Sequence, residues 1–390
     1  MTHMPPAIVI PAYNRPLTLA RLLESLSAAN YPPDLQVPLV ISIDPENGML
    51  HHNVRAVAES FHWQYGPKEI ILHKRHLGLL QNFYYCGALT DKYGSVIFLE
   101  DDLMVSPVFY HYAIQTLAYF ENDIHIAGIS LYRYAMNGYT HRAFEPLADG
   151  SDIFFMQVAS IMGQAWTKAQ WSQFQNWRVA KITTEANGTL HEVWSSFNAD
   201  DYFPILTNYL VSMGRFYVFP RVSLTTGFGD AGTHFANETS YFQVPLQLAQ
   251  TALRLQVLKT SHALYDSFME IAPDSLKQLV PALRDMDLDV DLHATKRSRH
   301  LEAEYVITTR ACKAVLKTFA LSMQPPEANI IFNAQGTGIN LCKRSDIRWD
   351  VWSDFQTRRR LHDYFARGIR ASLRQTLAYY LFDLIQRFKS

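Results

Sequence analysis

The sequence predicts an α/β fold in which a mostly parallel β-sheet is covered by helices on both faces. Two observations support this. Over residues 7–99, short β-branched runs alternate with amphipathic stretches in the order strand, helix, strand, helix. The strand-like runs are apolar almost throughout, which is typical of parallel strands that are buried on both sides. At 390 residues, the chain is long enough for a second region after this domain.

Each element is predicted from its own pattern. The run AIVIP at 7–11 is a short buried strand, and after Pro16 leucines recur at helical spacing in residues 19–26. Further strands are predicted at 39–43, 70–72, 96–99, 124–131 and 218–226, with short strands within 328–343; further helices are predicted at 54–61 and 79–93 and from residue 198 onwards.

Polar residues follow three of these strands. Arg15 comes shortly after the first strand, Asp44 ends the second, and Glu100, Asp101 and Asp102 directly follow the fourth. In open parallel sheets, ligands bind outside the carboxyl ends of the strands. We therefore expect these side chains to converge on one ligand-binding edge.

The three consecutive acidic residues, called the acidic trio below, indicate a cation site. Adjacent carboxylates repel each other, and each raises the pKa of its neighbour. A divalent cation relieves this repulsion, and hard oxygen ligands suit Mg²⁺ or Mn²⁺. Such an ion also holds a diphosphate and neutralises the charge that develops as it leaves. The alternative is a solvated acidic turn with no ligand.

Two sequence segments carry a family resemblance. IVIPAYNRP followed by a leucine-striped helix resembles the start of the family 2 inverting glycosyltransferases, and VIFLEDDLMVSPVFYHY is similar to a segment of N-acetylglucosaminyltransferase I and its relatives. The resemblance covers roughly residues 5–240. It implies a GT-A (Rossmann-like) fold and a Mn²⁺- or Mg²⁺-dependent enzyme that uses a nucleotide-sugar donor.

The resemblance also implies roles for residues of the donor site. Asp102 matches the metal ligand, and Asp101 matches the residue that lies against the nucleotide-sugar. Asp44 matches a nucleotide contact, and Arg15 a diphosphate or uridine contact. Glu100 completes the family's Glu-Asp-Asp form of its acidic motif. The segment after the third strand, which includes His73 to His76 and Asn82, lies under the donor in the family; a solvated basic turn is the alternative.

The segment NADDYF resembles the family's Asp-Asp-aromatic motif. The resemblance implies that Asp200 is the general base, with Asp201 as the second candidate. In this chain Ala199 stands where the family has a tryptophan. The alternative role for both aspartates is capping of a helix N-terminus, where Asp is favoured.

The stretch GFGDAGTH at 227–234 resembles the segment that holds a mobile loop over the donor in the same family. Its glycines permit close backbone approach and lid motion. His234 is a candidate metal ligand or diphosphate donor, with an ordinary loop histidine as the alternative. The run is not GxxxxGK[ST], and no GxGxxG follows the first strand, which argues against P-loop and dinucleotide enzymes.

We predict three regions: a GT-A catalytic domain at 1–244, an accessory α+β region at 245–357, and a basic amphipathic C-terminal helix at 358–390. A basic amphipathic helix is compatible with an anionic membrane surface. Packing on its own protein or on a second subunit is the equal alternative.

Composition narrows the function classes. The formal net charge is −1, which gives no electrostatic footprint for nucleic acid. The three cysteines are far apart in sequence and predict a reducing compartment without a disulfide framework. The first residues do not read as a signal peptide. We therefore expect a cytoplasmic location. The basic C-terminal helix extends this expectation to peripheral contact with the inner face of the membrane.

These observations favour an inverting glycosyltransferase that moves a sugar, GlcNAc or a related hexose, from a nucleotide-sugar, expected to be a UDP-sugar, to a saccharide or lipid-linked saccharide. One alternative is a nucleotidylyltransferase, although PAYNRP is not the Gly-rich basic loop that such an enzyme needs. The other alternative is an inactive nucleotide- or glycan-binding protein of the same fold.

Overall fold

The computed structural model describes residues 4–45, 49–180, 190–198, 201–230 and 237–366. Asp200, His234 and the chain after residue 366 lie outside this description. The chain divides into two compact units. The larger comprises Met1–Ala135, Pro146–Leu279 and Ser298–His300, and the smaller comprises Met136–Glu145, Val280–Arg297 and Leu301–Ser390.

The strands and helices alternate through the first half of the chain. In chain order the strands are β1 (Ala7–Ala12), β2 (Leu39–Ile43), β3 (Lys68–Leu72), β4 (Ser95–Phe98), β5 (Leu103–Val105), β6 (Ile126–Ser130), β7 (Met136–Asn137), β8 (Arg142–Ala143), β9 (Ile153–Met156), β10 (Gln164–Thr167), β11 (Phe216–Pro220), β12 (Thr225–Gly227), β13 (Leu264–Tyr265), β14 (Leu288–Asp291), β15 (Tyr305–Thr308), β16 (Lys317–Ala320) and β17 (Gly338–Lys343). The helices are α1 (Pro16–Ser27), α2 (Met49–Ser60), α3 (Gly78–Ala88), α4 (Thr90–Tyr93), α5 (Phe109–Tyr119), α6 (Lys168–Val179), α7 (Tyr202–Ser212), α8 (Pro273–Leu279), α9 (Ala328–Ile331) and α10 (Val351–Phe365).

The larger unit is built on one mixed sheet. Within the described residues it has nine strands, in the order β13-β9-β11-β6-β10-β4-β1-β2-β3. Five of the eight neighbouring pairs are parallel, among them β1 with β2, β1 with β4, and β2 with β3. The antiparallel pairs are β10 with β4, β10 with β6, and β11 with β9. The predicted α/β class with a mostly parallel, helix-covered sheet is confirmed.

Helix α1 shows how sequence pattern becomes packing. Pro16 occupies its first turn, where a missing N–H is tolerated. Leu19, Leu22 and Leu26 are fully buried against the sheet, whereas Leu17 on the opposite side is exposed. The leucine spacing therefore places one apolar stripe on the core and leaves the other face to solvent.

The predicted strand at 218–226 is two strands. β11 ends at Pro220, which lacks the N–H needed to continue a ladder. β12 leaves the large sheet and pairs antiparallel with β5 in a separate two-stranded ribbon. This change of sheet brings the Gly-rich segment beside the residues that follow the acidic trio.

The larger unit continues beyond residue 244. Strand β13 lies at the edge of the large sheet, parallel to β9. The chain then forms α8, which ends at Leu279. The described residues before 136 and between 146 and 279 thus belong to one compact unit.

In the part of the smaller unit that the structure describes, four strands form a sheet in the order β14-β15-β17-β16. Within the predicted strand region 328–343, the structure has the short helix α9 followed by β17. The buried Arg310 forms ion pairs with the buried Asp291 at 2.9 Å and with the partly exposed Asp354 at 2.8 Å. None of the described helices has the length and apolar character needed to cross a membrane.

Candidate active site

The three strands that precede Arg15, Asp44 and the acidic trio are neighbours in the large sheet. β1 lies between β2 and β4, and Val9 pairs with Val40 on one side and Phe98 on the other. All three strands are parallel, so their carboxyl ends share one edge. Arg15, Asp44 and the acidic trio follow these ends.

Arg15 contacts two carboxylates of the acidic trio. Its Nη1 donates a hydrogen bond to Asp102 Oδ2 at 2.7 Å and lies 3.8 Å from Asp101 Oδ1. Burial, and then the charge of Asp102, raise the pKa of Asp101 to about 7 against the opposing effect of Arg15. The edge is therefore a site where negative charge is incompletely compensated.

Glu100 points to a different partner. The Tyr202 hydroxyl, at the start of α7, donates a hydrogen bond to Glu100 Oε1. Burial and the charge of Asp102 raise the pKa of Glu100 to about 8, although this hydrogen bond lowers it. The Tyr202 ring stacks on Phe83 of α3, with centroids 4.1 Å apart. The start of α7 is thus fixed directly against the acidic trio.

Asp44 lies at the same edge, and its carboxylate accepts two backbone hydrogen bonds. Oδ1 accepts from the N–H of Leu77 at 2.7 Å, and Oδ2 accepts from that of Gly78 at 2.8 Å. His76 Nδ1 lies 3.0 Å from Oδ2. The residue is 3% exposed. In this structure Asp44 therefore satisfies amides at the N-terminus of α3, a position that favours negative charge.

Asn82 belongs to a buried polar network behind Asp44. Its side-chain oxygen accepts a hydrogen bond from the Ser42 hydroxyl at 2.7 Å. The same hydroxyl lies 2.8 Å from His73 Nε2. Burial lowers the pKa of His73, while the charge of Asp44 opposes the shift. Asn82 thus joins α3 to β2.

The Gly-rich segment is held beside this edge by α1. Gly227 pairs with Leu103, the residue after the acidic trio. Three residues later, Asp230 forms a two-pronged ion pair with Arg21. The Arg21 guanidinium also lies over the Phe228 ring, 3.6 Å from its centroid. Residues 227–230 are therefore fixed to the first helix of the domain.

Asp201 occupies the N-cap position of α7, but its side chain makes no capping hydrogen bond to that helix. Its Oδ2 instead accepts from the Asn198 backbone N–H at 3.0 Å. Asp200 and His234, the candidate base and metal ligand, lie outside the described residues.

The acidic trio offers oxygen donors of the kind that a divalent ion prefers. Asp101 and Asp102 present carboxylates side by side, and Arg15 supplies the positive charge that they contact here. In the described part of the chain, no three His, Cys, Asp or Glu side chains form a complete metal site. Mg²⁺ is commonly bound by one or two carboxylates together with substrate phosphates and water. The two aspartates fit that mode of binding.

A separate groove of about 500 Å³ lies between α3 and α6. Its lining includes Tyr84, Tyr85, Trp171, Gln175 and Asn176. Among the described residues, the lining contains one carboxylate, that of Asp91, and none of the acidic trio. We assign this groove no part in the chemistry of the acidic edge.

Sequence reasoning missed two residues that shape the site. Tyr202 was visible only as the aromatic residue after the aspartate pair, and its partner Glu100 is 102 positions away. Arg21 lies on the polar side of α1, 209 positions from Asp230. No local pattern connects either residue to its partner.

No protein-family model matches the chain, and no curated protein matches its sequence. Among solved structures it is similar to residues 1–349 of TarS from S. aureus, with 11% identity, a TM-score of 0.34 and coverage of 57% of this chain. The same TarS fragment has been solved in complex with UDP. The mannosyltransferase PcManGT from Pyrobaculum calidifontis, solved with GDP-Man and Mn²⁺, has 14% identity, a TM-score of 0.31 and coverage of 44% of this chain.

The matched regions span 60% of the TarS fragment and 47% of PcManGT. The chain therefore matches less than two thirds of the length of each of these known structures. A likeness of this extent transfers no residue role to this chain.

Proposed function

We propose that the chain is a metal-dependent inverting glycosyltransferase. It transfers a hexose or N-acetylhexosamine from a nucleotide-sugar, with UDP-sugars as the first donors to test, to the hydroxyl of a saccharide. The proposal depends mainly on one observation: Arg15 and the acidic trio meet at the carboxyl edge of the parallel strands. Ligands of open α/β sheets bind at this edge.

The charges at the edge suit a diphosphate leaving group. Asp102, with Asp101 beside it, would hold Mn²⁺ or Mg²⁺, and the ion would supply positive charge to the departing nucleoside diphosphate. Arg15 is part-exposed and contacts both aspartates, so it adds a permanent positive charge at the same place. Fixed positive charges stabilise the transition state when they lie where negative charge develops.

The acceptor side of the proposal uses the start of α7. An acceptor hydroxyl attacks the anomeric carbon on the face opposite the diphosphate, and its proton passes to a carboxylate within hydrogen-bond reach. We assign that role to Asp200, with Asp201 as the second candidate. Support comes from the neighbouring residue, since Tyr202 is hydrogen-bonded to Glu100 of the acidic trio.

Lipid-linked saccharides are the acceptors that a peripheral membrane location would favour. The sequence after residue 358 is rich in arginine and apolar residues at helical spacing. Most of it lies outside the described residues, so membrane contact stays part of the proposal.

The first experiment tests the donor. The purified chain is incubated with Mn²⁺ and a panel of UDP- and GDP-sugars, and slow release of nucleoside diphosphate is measured with and without EDTA. The proposal predicts release from at least one donor, and loss of release with EDTA. Binding or turnover of a nucleoside triphosphate with no response to any nucleotide-sugar would favour the nucleotidylyltransferase alternative.

The second experiment separates the two carboxylate roles. Asp102→Asn should remove metal-dependent donor binding, whereas Asp200→Asn should preserve binding and lower turnover by about 100-fold or more. Asp91→Asn is the control, because Asp91 is an exposed carboxylate paired with Lys168. Normal donor binding and turnover in Asp102→Asn would contradict the metal assignment. Donor binding without turnover in the wild-type chain would favour an inactive binding protein.

A further inference from the structure

Two of the three cysteines are in contact in the smaller unit. The Sγ atoms of Cys312 and Cys342 lie 2.9 Å apart, although the residues are 30 positions apart in sequence. Both are present as free thiols. The wide spacing of cysteines in the sequence predicted no disulfide framework, and only the fold reveals this pair.

Backbone pairing and apolar packing hold both cysteines in place. Cys342 lies on β17 and pairs with Val306 of β15. Cys312 forms an antiparallel bridge with Ile347. Cys342, Val306 and Ile347 belong to one buried cluster, and Cys312 packs against it. The contact between the sulfurs is therefore fixed by the surrounding strands.

The two thiols differ in accessibility. Cys312 is half-buried, whereas Cys342 is buried. The hydrogen bond with Cys342 lowers the pKa of Cys312, against burial and the negative charge of Asp346, which raise it; the positive charge of Arg360 adds a smaller lowering effect. The pKa of Cys342 is raised, first by the hydrogen bond with Cys312 and then by burial. The thiolate is the reactive nucleophile, so Cys312 is the residue that reacts first with an external reagent.

We propose that Cys312 and Cys342 form a redox-active dithiol that low-molecular-weight disulfides oxidise to an intramolecular disulfide. The Cys312 thiolate attacks a disulfide RSSR, forming a mixed disulfide and releasing RS⁻. Cys342 then loses its proton and attacks Cys312 Sγ, which forms the Cys312–Cys342 bond and releases the second RS⁻. The protein loses two protons and two electrons, and RSSR takes up both to become two RSH.

The bond would close a loop that contains β16 and α9. Closing a loop of this length removes conformational freedom from the unfolded chain and stabilises the native state. Because both sulfurs already lie in contact, this requires little movement of the strands. We therefore expect the oxidised chain to melt at a higher temperature than the reduced chain.

The test uses the full chain and oxidised glutathione. After equilibration, the protein is denatured in acid and its free thiols are labelled with a maleimide. The proposal predicts three labels in the reduced chain and one in the oxidised chain, located on Cys86 by peptide mapping. Cys86 is fully buried, and burial raises its pKa to about 12. Three labels after oxidation, or a disulfide that includes Cys86, would overturn the proposal.

Single variants test the order of events. Cys342→Ser should accumulate a glutathione adduct on Cys312, because the second attack is missing. Cys312→Ser should leave Cys342 without an adduct while the chain is folded. Cys86→Ser is the matched control and should form the disulfide like the wild-type chain. Equal adduct formation on Cys312 and Cys342 in the two single variants would contradict the assigned order. The double variant Cys312→Ser/Cys342→Ser should show no rise in melting temperature on oxidation.

Discussion

Tyr202 donates its hydroxyl hydrogen bond to Glu100 and so joins the first turn of α7 to the acidic end of β4. The tyrosine is almost fully buried and stacks on Phe83 of α3. Three elements therefore meet at one side chain. In the proposed enzyme, this contact fixes the distance between the metal-binding carboxylates and the segment that carries the candidate base.

Tyr202→Phe tests this positional role. The variant removes one hydrogen bond but keeps the ring that packs on Phe83. We expect a stability loss of about 1–2 kcal/mol, because Glu100 loses a buried partner. We also expect turnover to fall by about tenfold, because a small displacement of catalytic groups is costly. Urea unfolding and donor-hydrolysis assays measure the two effects.

Tyr110→Phe is the matched control for this variant. Tyr110 is fully buried and donates its hydroxyl to the Pro6 carbonyl at 2.9 Å, away from the acidic trio. It should lose similar stability but retain its turnover per folded molecule. Equal turnover in Tyr202→Phe and Tyr110→Phe would refute the positional role of Tyr202.

Arg21→Ala tests how the Gly-rich segment is held. The variant removes the ion pair with Asp230 and the contact with the Phe228 ring. Both groups are partly exposed, so the stability loss should be only about 1 kcal/mol. The donor KM should nevertheless rise by several fold, because residues 227–230 lose their attachment to α1. Arg254→Ala is the control, since it breaks an exposed ion pair with Asp152; an equal KM in both variants would exclude a donor-site role for Arg21.

Gly229→Ala tests the backbone of the same segment. Gly229 has φ +73°, and an added Cβ would meet the Thr239 carbonyl oxygen at 1.5 Å. Gly94 has φ +75°, but an added Cβ there would meet open space. Because ψ at Gly94 is −38°, outside the left-handed helical region, Gly94→Ala should cost about 1–3 kcal/mol from backbone conformation alone. Gly229→Ala should cost clearly more. Thermal and urea unfolding compare the stability of the two variants. An equal loss of stability would mean that the chain near Thr239 moves at little cost to accommodate the added Cβ.

The elements that were predicted well are those with strong local patterns. The leucine stripe of α1 and the apolar run of β1 specify period and burial within a dozen residues. The acidic trio was found because it directly follows a strand. Parallel strand order then places Arg15 and Asp102 together, which is why this part of the site could be expected from the sequence.

The remaining features depend on contacts between distant residues. The pairing of Cys312 with Cys342 requires knowing which strands are neighbours, and residue spacing alone argued against it. The strand at 218–226 was predicted as one element because its apolar pattern hides the change of sheet after Pro220. The hydrogen bonds from the Leu77 and Gly78 amides to Asp44 likewise join residues that are more than 30 positions apart, and the nucleotide contact of Asp44 stays a prediction.

The last prediction concerns the pH dependence of stability. Burial, and then the nearby charge of Arg142, lower the pKa of His293 from 6.5 to about 4. Below pH 6.5 the unfolded chain therefore binds a proton that the folded chain does not bind. The free energy of unfolding should fall as pH decreases from about 6.5 to about 4, by at most about 3 kcal/mol from this residue.

His293→Gln should flatten this part of the stability profile, because the folded and unfolded chains would no longer differ in proton binding at that position. His62→Gln, which replaces an exposed histidine, is the control and should retain the wild-type slope. Urea unfolding at pH 7.0, 6.0 and 5.0 measures how the free energy of unfolding changes with pH. His293 can contribute up to about 1.4 kcal/mol to this change per pH unit. An unchanged slope in His293→Gln would show that His293 is not kept neutral by its burial.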